Sequence, residues 1–347
     1  MTDNIPKVTV LTTVYNGLPY LKESIESTLN QTYSNFDFLI IDDASPDPEV
    51  IKCIRSYKDS RINLVINEEN LGVSKTINKA LKLIRTPYVV RSDQDDINLP
   101  DRVEEQVKFL EENPNTSIIC SWEHTIDGEG KYGKDWKRSL KDYGQFLGPV
   151  LLGICPVWHP SIAFKTQAMI DCGGFKTEYV RAEDFEVTAR LASKRYGAAV
   201  IPKFLLLQRQ HQASQSKEFE KEQADMSNRI QKEVIEEFIE KEYSDDLSRF
   251  LRLEKPEKKK FNKEYIIFIS NIMDKFFKNI ALKQNLSNKE LKSLKSVIYR
   301  RIGFGLFISN LLKFIPSVMF MPIFYFFSPL FINNLRQGLS RIYNSFS

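Results

Sequence analysis

The stretch PYVVRSDQDDINLPDRVEEQVKFLEEN, residues 87–113, decides how the first half of the chain is read. A short apolar run ends at Arg91 and Ser92, and Asp93, Asp95 and Asp96 follow within four positions. A segment with helical spacing comes next, Pro100 falling in its predicted first turn. The same couplet repeats on either side. KVTVLTTVYN (7–16) reads as a strand, and LPYLKESIESTLNQ (18–31) as a helix with Leu18, Leu21, Ile25 and Leu29 on one face. FDFLIIDDAS (36–45) is a second strand, followed by a helix from about Pro48. INLVIN (62–67) is a third strand, GVSKTINKALKLI (72–84) a helix and TSIICSW (116–122) a fifth strand. Strands alternating with helices over short connections imply an α/β fold with a mostly parallel sheet and right-handed crossovers.

In open α/β sheets the ligand sits beyond the carboxyl ends of the strands. Polar residues collect at those ends: Thr12, Thr13, Tyr15 and Asn16 after the first strand, Asp42 and Asp43 after the second, and the three aspartates after the fourth. Asp93 and Asp95 stand two apart, so in extended chain they point the same way. Like charges that close repel unless a cation lies between them, and Mg²⁺ or Mn²⁺ is commonly held by one or two carboxylates with substrate phosphates. The plain alternative is a solvated turn with Asp96 capping the next helix. Asp42 and Asp43 suit a base or ribose, or else a turn before SPDP. Neither G-x-x-x-x-G-K-[ST] nor a strand-linked G-x-G-x-x-G is present, so a nucleotide would not be held in those ways.

Farther on, a helix is expected from about Glu183 to Arg195. Glu183 and Asp184 at its start serve either as dipole partners or, for Asp184, as a general base. WHPS supplies Trp158 and His159, and QRQHQASQS supplies Arg209 and His211, the last able to complete a metal site.

The net charge of +4 carries no global signature of a nucleic-acid binder. It is uneven, however. From Arg249 to Arg301 there are 15 Lys/Arg against 5 Asp/Glu, a local +10 that leaves −6 for the rest. The four cysteines, Cys53, Cys120, Cys155 and Cys172, form no C-x-x-C pair, which fits a reducing compartment. The start, MTDNIPK, has no signal-peptide pattern, so a cytoplasmic protein is expected. Residues 302–332 are overwhelmingly apolar but are broken by Pro316, Pro322 and Pro329. That pattern suits a segment lying in a membrane interface, drawn there by the basic stretch before it; a helical pair packed on the main domain is the alternative.

Taken together, VTVLTTVYNG, IIDDASPD, NEENLGVSKTINKAL, RSDQDDINLPDRVEEQVKFLEENP, HPS, CGGF, AEDFEVTARL and QRQHQASQS resemble the inverting family 2 glycosyltransferases, which have the GT-A fold. The match runs from residue 7 to about 216. The resemblance implies that Thr13 and Asp42, with Tyr15, Gly72 and Asn78 nearby, form the nucleotide-sugar site. It puts Asp93 on the ribose, Asp95 on a divalent cation (Mn²⁺ or Mg²⁺), His211 near that cation, and Asp184 as catalytic base with Glu183 its partner. Arg209 is implied at a phosphate, although Gln208–Arg209 stands where many relatives read Tyr-Arg. Trp158 and His159 are placed on the acceptor side. The Q-x-x-R-W pattern of processive synthases is absent, which favours transfer of a single sugar.

The expected function is therefore a metal-dependent transferase, bacterial and of the cell-surface polysaccharide type. It would move sugar from a nucleoside-diphosphate-sugar to a glycan or lipid-linked acceptor at the inner membrane face, with no nucleic-acid partner. A non-catalytic nucleotide-sugar-binding protein and a sugar nucleotidyltransferase are the alternatives. The expected organisation is a catalytic domain over 1–216, a basic helical extension over 217–301 and apolar helices over 302–347. Oligomeric state is not legible.

Overall fold

The computed structural model describes residues 5–210, 219–254 and 263–308. Strands β1 (Val8–Val14), β2 (Asp37–Asp42), β3 (Ile62–Ile66) and β4 (Tyr88–Ser92) lie parallel in the order β3-β2-β1-β4. They alternate with helices α1 (Leu21–Leu29), α2 (Pro48–Ser56) and α3 (Val73–Leu83). Val8, Val10, Phe38, Ile40 and Val90 are buried with Ile25 and Ile54 of the helices, as a parallel sheet covered by helices requires.

Past β4 the sheet becomes mixed. The elements are β5 (Ile97–Asn98), α4 (Arg102–Glu112), β6 (Thr116–Ile126), β7 (Tyr132–Trp136), α5 (Tyr143–Leu151), β8 (Ala163–Lys165), α6 (Thr166–Asp171), α7 (Glu183–Ser193) and β9 (Gly197–Arg209). β8 runs antiparallel to both β4 and β6, β9 lies parallel to β6, and β7 folds back on β6 as a hairpin. The fold is α/β as expected, but the fifth predicted strand does not sit beside the fourth. β8 separates them, and the chain enters it from a short 3₁₀ turn, His159–Ser161, rather than from the helical crossover that parallel pairing needs.

The two prolines read as first-turn residues behave differently. Pro48 is the first residue of α2, with Asp47 accepting the Glu49 N–H at 2.9 Å. Pro100 lies before α4, whose N-cap is Asp101; its carbonyl instead accepts the Thr32 N–H at 2.8 Å.

The chain divides into two compact units: residues 1–150 with 154–230, and 151–153 with the chain from 231 onward. In the second unit the end of α8 (Glu220–Glu236) is followed by α9 (Lys241–Leu251), α10 (Lys263–Lys283) and α11 (Asn288–Ile308). Phe238, Phe276, Phe277, Ile280, Leu294 and Ile298 are buried there, and Phe238 meets Phe276 edge-on at 6.2 Å. Ser287 and Glu290 form a reciprocal capping box at the start of α11. Of the apolar segment expected over 302–332, residues 302–308 are the end of α11 and the remainder lies outside the described residues. Among the described residues no helix is long and apolar enough to cross a membrane.

One side chain ties β4 to α4 and to the turn that leads into β8. Arg102 is fully buried, and its Nη2 donates to the carbonyls of Arg91 (2.7 Å) and Pro160 (3.0 Å). Nη1 donates to Asn98 Oδ1 and Nε to Gln106 Oε1. Burial lowers its pKa to about 10, so it stays charged at neutral pH. We expect Arg102→Met to lower unfolding free energy by about 3–5 kcal/mol, because acceptors on Arg91, Pro160, Asn98 and Gln106 lose their donor where water does not replace it. The urea midpoint measures it, and an unchanged midpoint would show that the network is dispensable.

Candidate active site

The carboxyl ends of β1, β2 and β4 and the start of α7 open on one cleft of about 1400 Å³. Thr13, Tyr15, Asp93, Asp95 and Arg209 line it. So do Glu183, Asp184, Trp158 and His159. Asp42, Gly72 and Asn78 do not, and His211 lies outside the described residues.

The crowded acids after β4 are answered partly from within the chain. Arg91 grips Asp93 with both terminal nitrogens, at 2.6 Å to Oδ1 and 2.9 Å to Oδ2. Asp96 does not cap the helix: it is buried and accepts the Arg209 N–H at 2.8 Å. Burial first, then the charges of Asp93 and Asp95, push its pKa well above the carboxylate range. The turn itself is pinned to β1, because the Gln94 amide accepts the Tyr15 N–H (2.8 Å) and donates to the Tyr15 carbonyl (3.1 Å).

Arg209 is committed to this architecture. Nε donates to the Asp95 carbonyl at 3.0 Å, Nη1 to the Asp127 carbonyl at 3.2 Å and Nη2 to Glu23, while the guanidinium lies 4.5 Å over the Tyr20 ring. Each guanidinium nitrogen thus already donates one hydrogen bond within the protein, while Arg209 also lines the cleft. These bonds shape the acidic turn.

The two aspartates after β2 divide their work. Asp43 accepts from Asn67 Nδ2 (2.6 Å), Thr76 Oγ1 (2.9 Å), Leu71 N–H (2.9 Å) and Gly72 N–H (2.8 Å), closing the loop that leads into α3. Gly72 has φ +78, a left-handed conformation that glycine adopts without steric cost. Asp42 accepts the Ser45 N–H through Oδ2 at 3.1 Å, and its buried Oδ1 has no partner. Asn78 holds the backbone of Phe175, donating to its carbonyl at 2.7 Å and accepting its N–H at 2.8 Å. That places Asn78 as a bolt between α3 and the CGGF turn.

On the far side, Asp184 accepts the Phe185 N–H at 2.7 Å. Burial raises its pKa, and the Phe185 N–H and the Arg91 charge pull it back. Glu183 is raised by burial and by Asp184. Arg91 is therefore the cation shared by Asp93, Glu183 and Asp184. His159 is held neutral by burial, and its Nε2 has no partner in the protein. Arg181, which also lines the cleft, takes φ +74, a strained conformation for a large side chain, and stacks 3.4 Å over Phe219.

A sequence model of glycosyl transferase family 2 matches residues 9–171. An uncharacterised glycosyltransferase of Methanocaldococcus jannaschii is 33% identical over 207 residues, 58% of this chain and 70% of that protein. This chain belongs to glycosyltransferase family 2. An uncharacterised glycosyltransferase of Haemophilus influenzae is 28% identical over 254 residues, 69% of this chain and 76% of its own. Residues 1–349 of S. aureus TarS, crystallised with UDP-GlcNAc, share the fold, with a TM-score of 0.53 at 17% identity over 85% of this chain and 92% of that one.

For the transferase, the donor set at the sheet edge bears on a metal. Among the described residues no group of three or more His, Cys, Asp or Glu side chains could hold an ion. Asp93 is ion-paired to Arg91, and Asp95 is the other carboxylate of the acidic turn that lines the cleft without being fully buried. One carboxylate fits Mg²⁺ or Mn²⁺ completed by water and substrate phosphate, and does not fit a caged resident ion. Arg91 and Gln94 were missed in the sequence although they flank the acids. Glu123, also missed, has no signal in its neighbours: it is fully buried, both carboxyl oxygens lack partners, and burial raises its pKa to about 8 despite Arg102 and Arg138.

A carboxyl that is raised on folding binds its proton more tightly in the native state. Glu123 therefore stabilises fully below its ordinary value near 4.5, and that contribution is lost as pH rises to about 8. Asp96 acts with the same sign. We expect Glu123→Gln to flatten the fall in stability between pH 5 and 8 and to be more stable than wild type at pH 8 by about 2–4 kcal/mol. Urea unfolding at three pH values checks it; parallel slopes would refute it.

Proposed function

We propose that the transferase moves one sugar from a nucleoside-diphosphate-sugar, a UDP-sugar being favoured, to a hydroxyl of a glycan or lipid-linked acceptor with inversion. The observation that carries this is the meeting of Asp184 with the Asp93–Asp95 turn across one cleft, with Arg91 between them. The donor would lie over the ends of β1, β2 and β4. Thr13 and Tyr15 line the cleft where the base would lie, whereas Asp42, with its unpartnered Oδ1, is fully buried and does not line it. UDP-GlcNAc in the TarS crystal supports a uridine donor for a protein of this fold.

Asp184 would take the acceptor's proton as its oxygen attacks the anomeric carbon from the face opposite the leaving diphosphate. One displacement inverts configuration and needs no enzyme nucleophile. A raised pKa makes the Asp184 carboxylate a better base than an ordinary aspartate. Asp95 and, by the family resemblance, His211 would hold a divalent cation, which when bound neutralises charge on the diphosphate. Arg91 holds Asp93 in place for the ribose. Trp158 and neutral His159 would face the acceptor.

The donor is identified by nucleoside diphosphate release from a nucleotide-sugar panel with and without Mn²⁺. Release from one donor should depend on metal, fall by about 10²–10⁴ in Asp184→Asn, and have an acidic limb above the ordinary aspartate range. Undiminished turnover in Asp184→Asn would sink the base assignment, and metal-independent release would sink the role of Asp95.

We also propose that the protein is peripheral to the inner face of a membrane through the basic stretch and the apolar residues after it, as part of surface-polysaccharide synthesis. The full-length chain should float with anionic vesicles and less with neutral ones, the difference shrinking as salt rises. Absence of flotation with either would overturn it.

A further inference from the structure

We infer that the cleft continues outward as a saccharide shelf, built from Trp158, Trp136 and Arg138, that binds acceptor sugar rings beyond the one receiving the new residue. This rests on the acceptor reading above and deepens it by naming a substrate class, an oligosaccharide rather than a lone sugar or a bare lipid.

The aromatic surface crosses the cleft's edge. Trp158 lines the cleft, whereas Trp136 does not. Their rings stack with centroids 4.9 Å apart at 29°, so Trp136 carries the surface outward. Trp136 is 39% exposed on a strand whose five residues all face solvent. A large indole left open where burial would be favourable is an informative exposure, because it sits against a cleft rather than alone on the surface.

Arg138 supplies the polar half. It lines the cleft, its guanidinium lies 4.4 Å over the Trp158 ring, and Nη1 donates to the Cys155 carbonyl. No ion pair joins it to a carboxylate among the described residues, and a guanidinium has five donors, so hydrogen-bonding capacity is left for ligand oxygens. The shelf is also held in place from below. Trp122 Nε1 donates to the Arg138 carbonyl at 2.9 Å, which fixes the end of the hairpin bearing Trp136.

Stacked indoles beside a guanidinium match pyranose chemistry. One face of a sugar ring presents C–H groups that pack on an aromatic plane, while its rim of hydroxyls takes hydrogen bonds. Stacking covers the facing sides of the two indoles and leaves the outer side of half-exposed Trp136 to a ligand, and a flat ring face, unlike an aliphatic groove, favours sugar over an acyl chain. Its continuity with a cleft whose base would accept a hydroxyl proton places the occupant on the acceptor.

The chain has three tryptophans, Trp122, Trp136 and Trp158, and all belong to this assembly, so intrinsic fluorescence reports on it directly. The full chain is titrated with glucose and N-acetylglucosamine and with their β-1,4-linked oligomers up to the hexamer. Saturable change is expected with at least one series, tightening about tenfold or more from monomer to trimer. Affinity for the trimer should fall about tenfold in Trp136→Ala and be largely retained in Trp136→Phe, with thermal melts confirming that both variants fold. No saturable response to any oligomer, no dependence on length, or equal affinity in Trp136→Ala would each overturn the shelf. UDP-GlcNAc is titrated into the wild-type chain by calorimetry in parallel. Donor binding without an oligomer response defeats the shelf alone, whereas an oligomer response without donor binding upholds the shelf and defeats UDP-GlcNAc as the donor.

Discussion

A charged guanidinium with no access to water must be hydrogen-bonded on every side or its burial is prohibitive. Arg102 meets that demand by using backbone carbonyls of Arg91 and Pro160 together with the side chains of Asn98 and Gln106. Those partners come from β4, from β5, from the turn entering β8 and from α4 itself. Satisfying one cation therefore fixes the strand that carries the acids relative to the turn that carries Trp158 and His159. Gln106 extends the tie by donating to the Ser161 carbonyl at 2.7 Å. The two walls of the cleft are registered by this network before any substrate binds.

The same region holds more acid than its cations answer. Asp93 has Arg91, but Asp96 and Glu123 are buried where ionisation is costly, and both are shifted toward the protonated form. Arg102 and Arg138 lessen that shift at Glu123 without removing it. A site arranged in this way lines its cleft with Asp95 and Asp184 and shifts its more deeply buried acids, Asp96 and Glu123, toward the protonated form. Such a pattern suits chemistry in which a substrate diphosphate brings further negative charge, since fewer fixed anions then oppose it. The strained backbone at Arg181, beside Glu183 and Asp184, is further sign that local comfort has been given up at this wall.

Arg209 and Asn78 show how a motif position noticed for one reason also serves the local fold. Both stand in segments that resemble the family, and both were assigned to the nucleotide-sugar. In the fold, one secures the acidic turn and the other bolts α3 to the CGGF turn. A polar residue in a motif is consistent with ligand binding and with tight local folding alike, and only the identity of its hydrogen-bond partners separates the two.

The sequence by itself determined the parallel half of the sheet, because alternation of apolar runs with 3.6-spaced segments is a local pattern that each couplet repeats. It determined the acids too: Asp93, Asp95, Glu183 and Asp184 could be named because polar residues at strand ends and helix starts are conspicuous against apolar neighbours. It could not determine that β8 would separate β4 from β6, since strand order depends on which edges meet after the chain has turned back. Nor could it pair Arg91 with Asp93 and choose Asp43 over Asp42 for the loop, because neighbours in sequence share composition and differ only in direction. Glu123, Trp136 and Arg138 were invisible for the same reason. Their environments are made by residues far away in the chain, and burial, stacking and charge at such positions exist only once tertiary structure has brought those residues together.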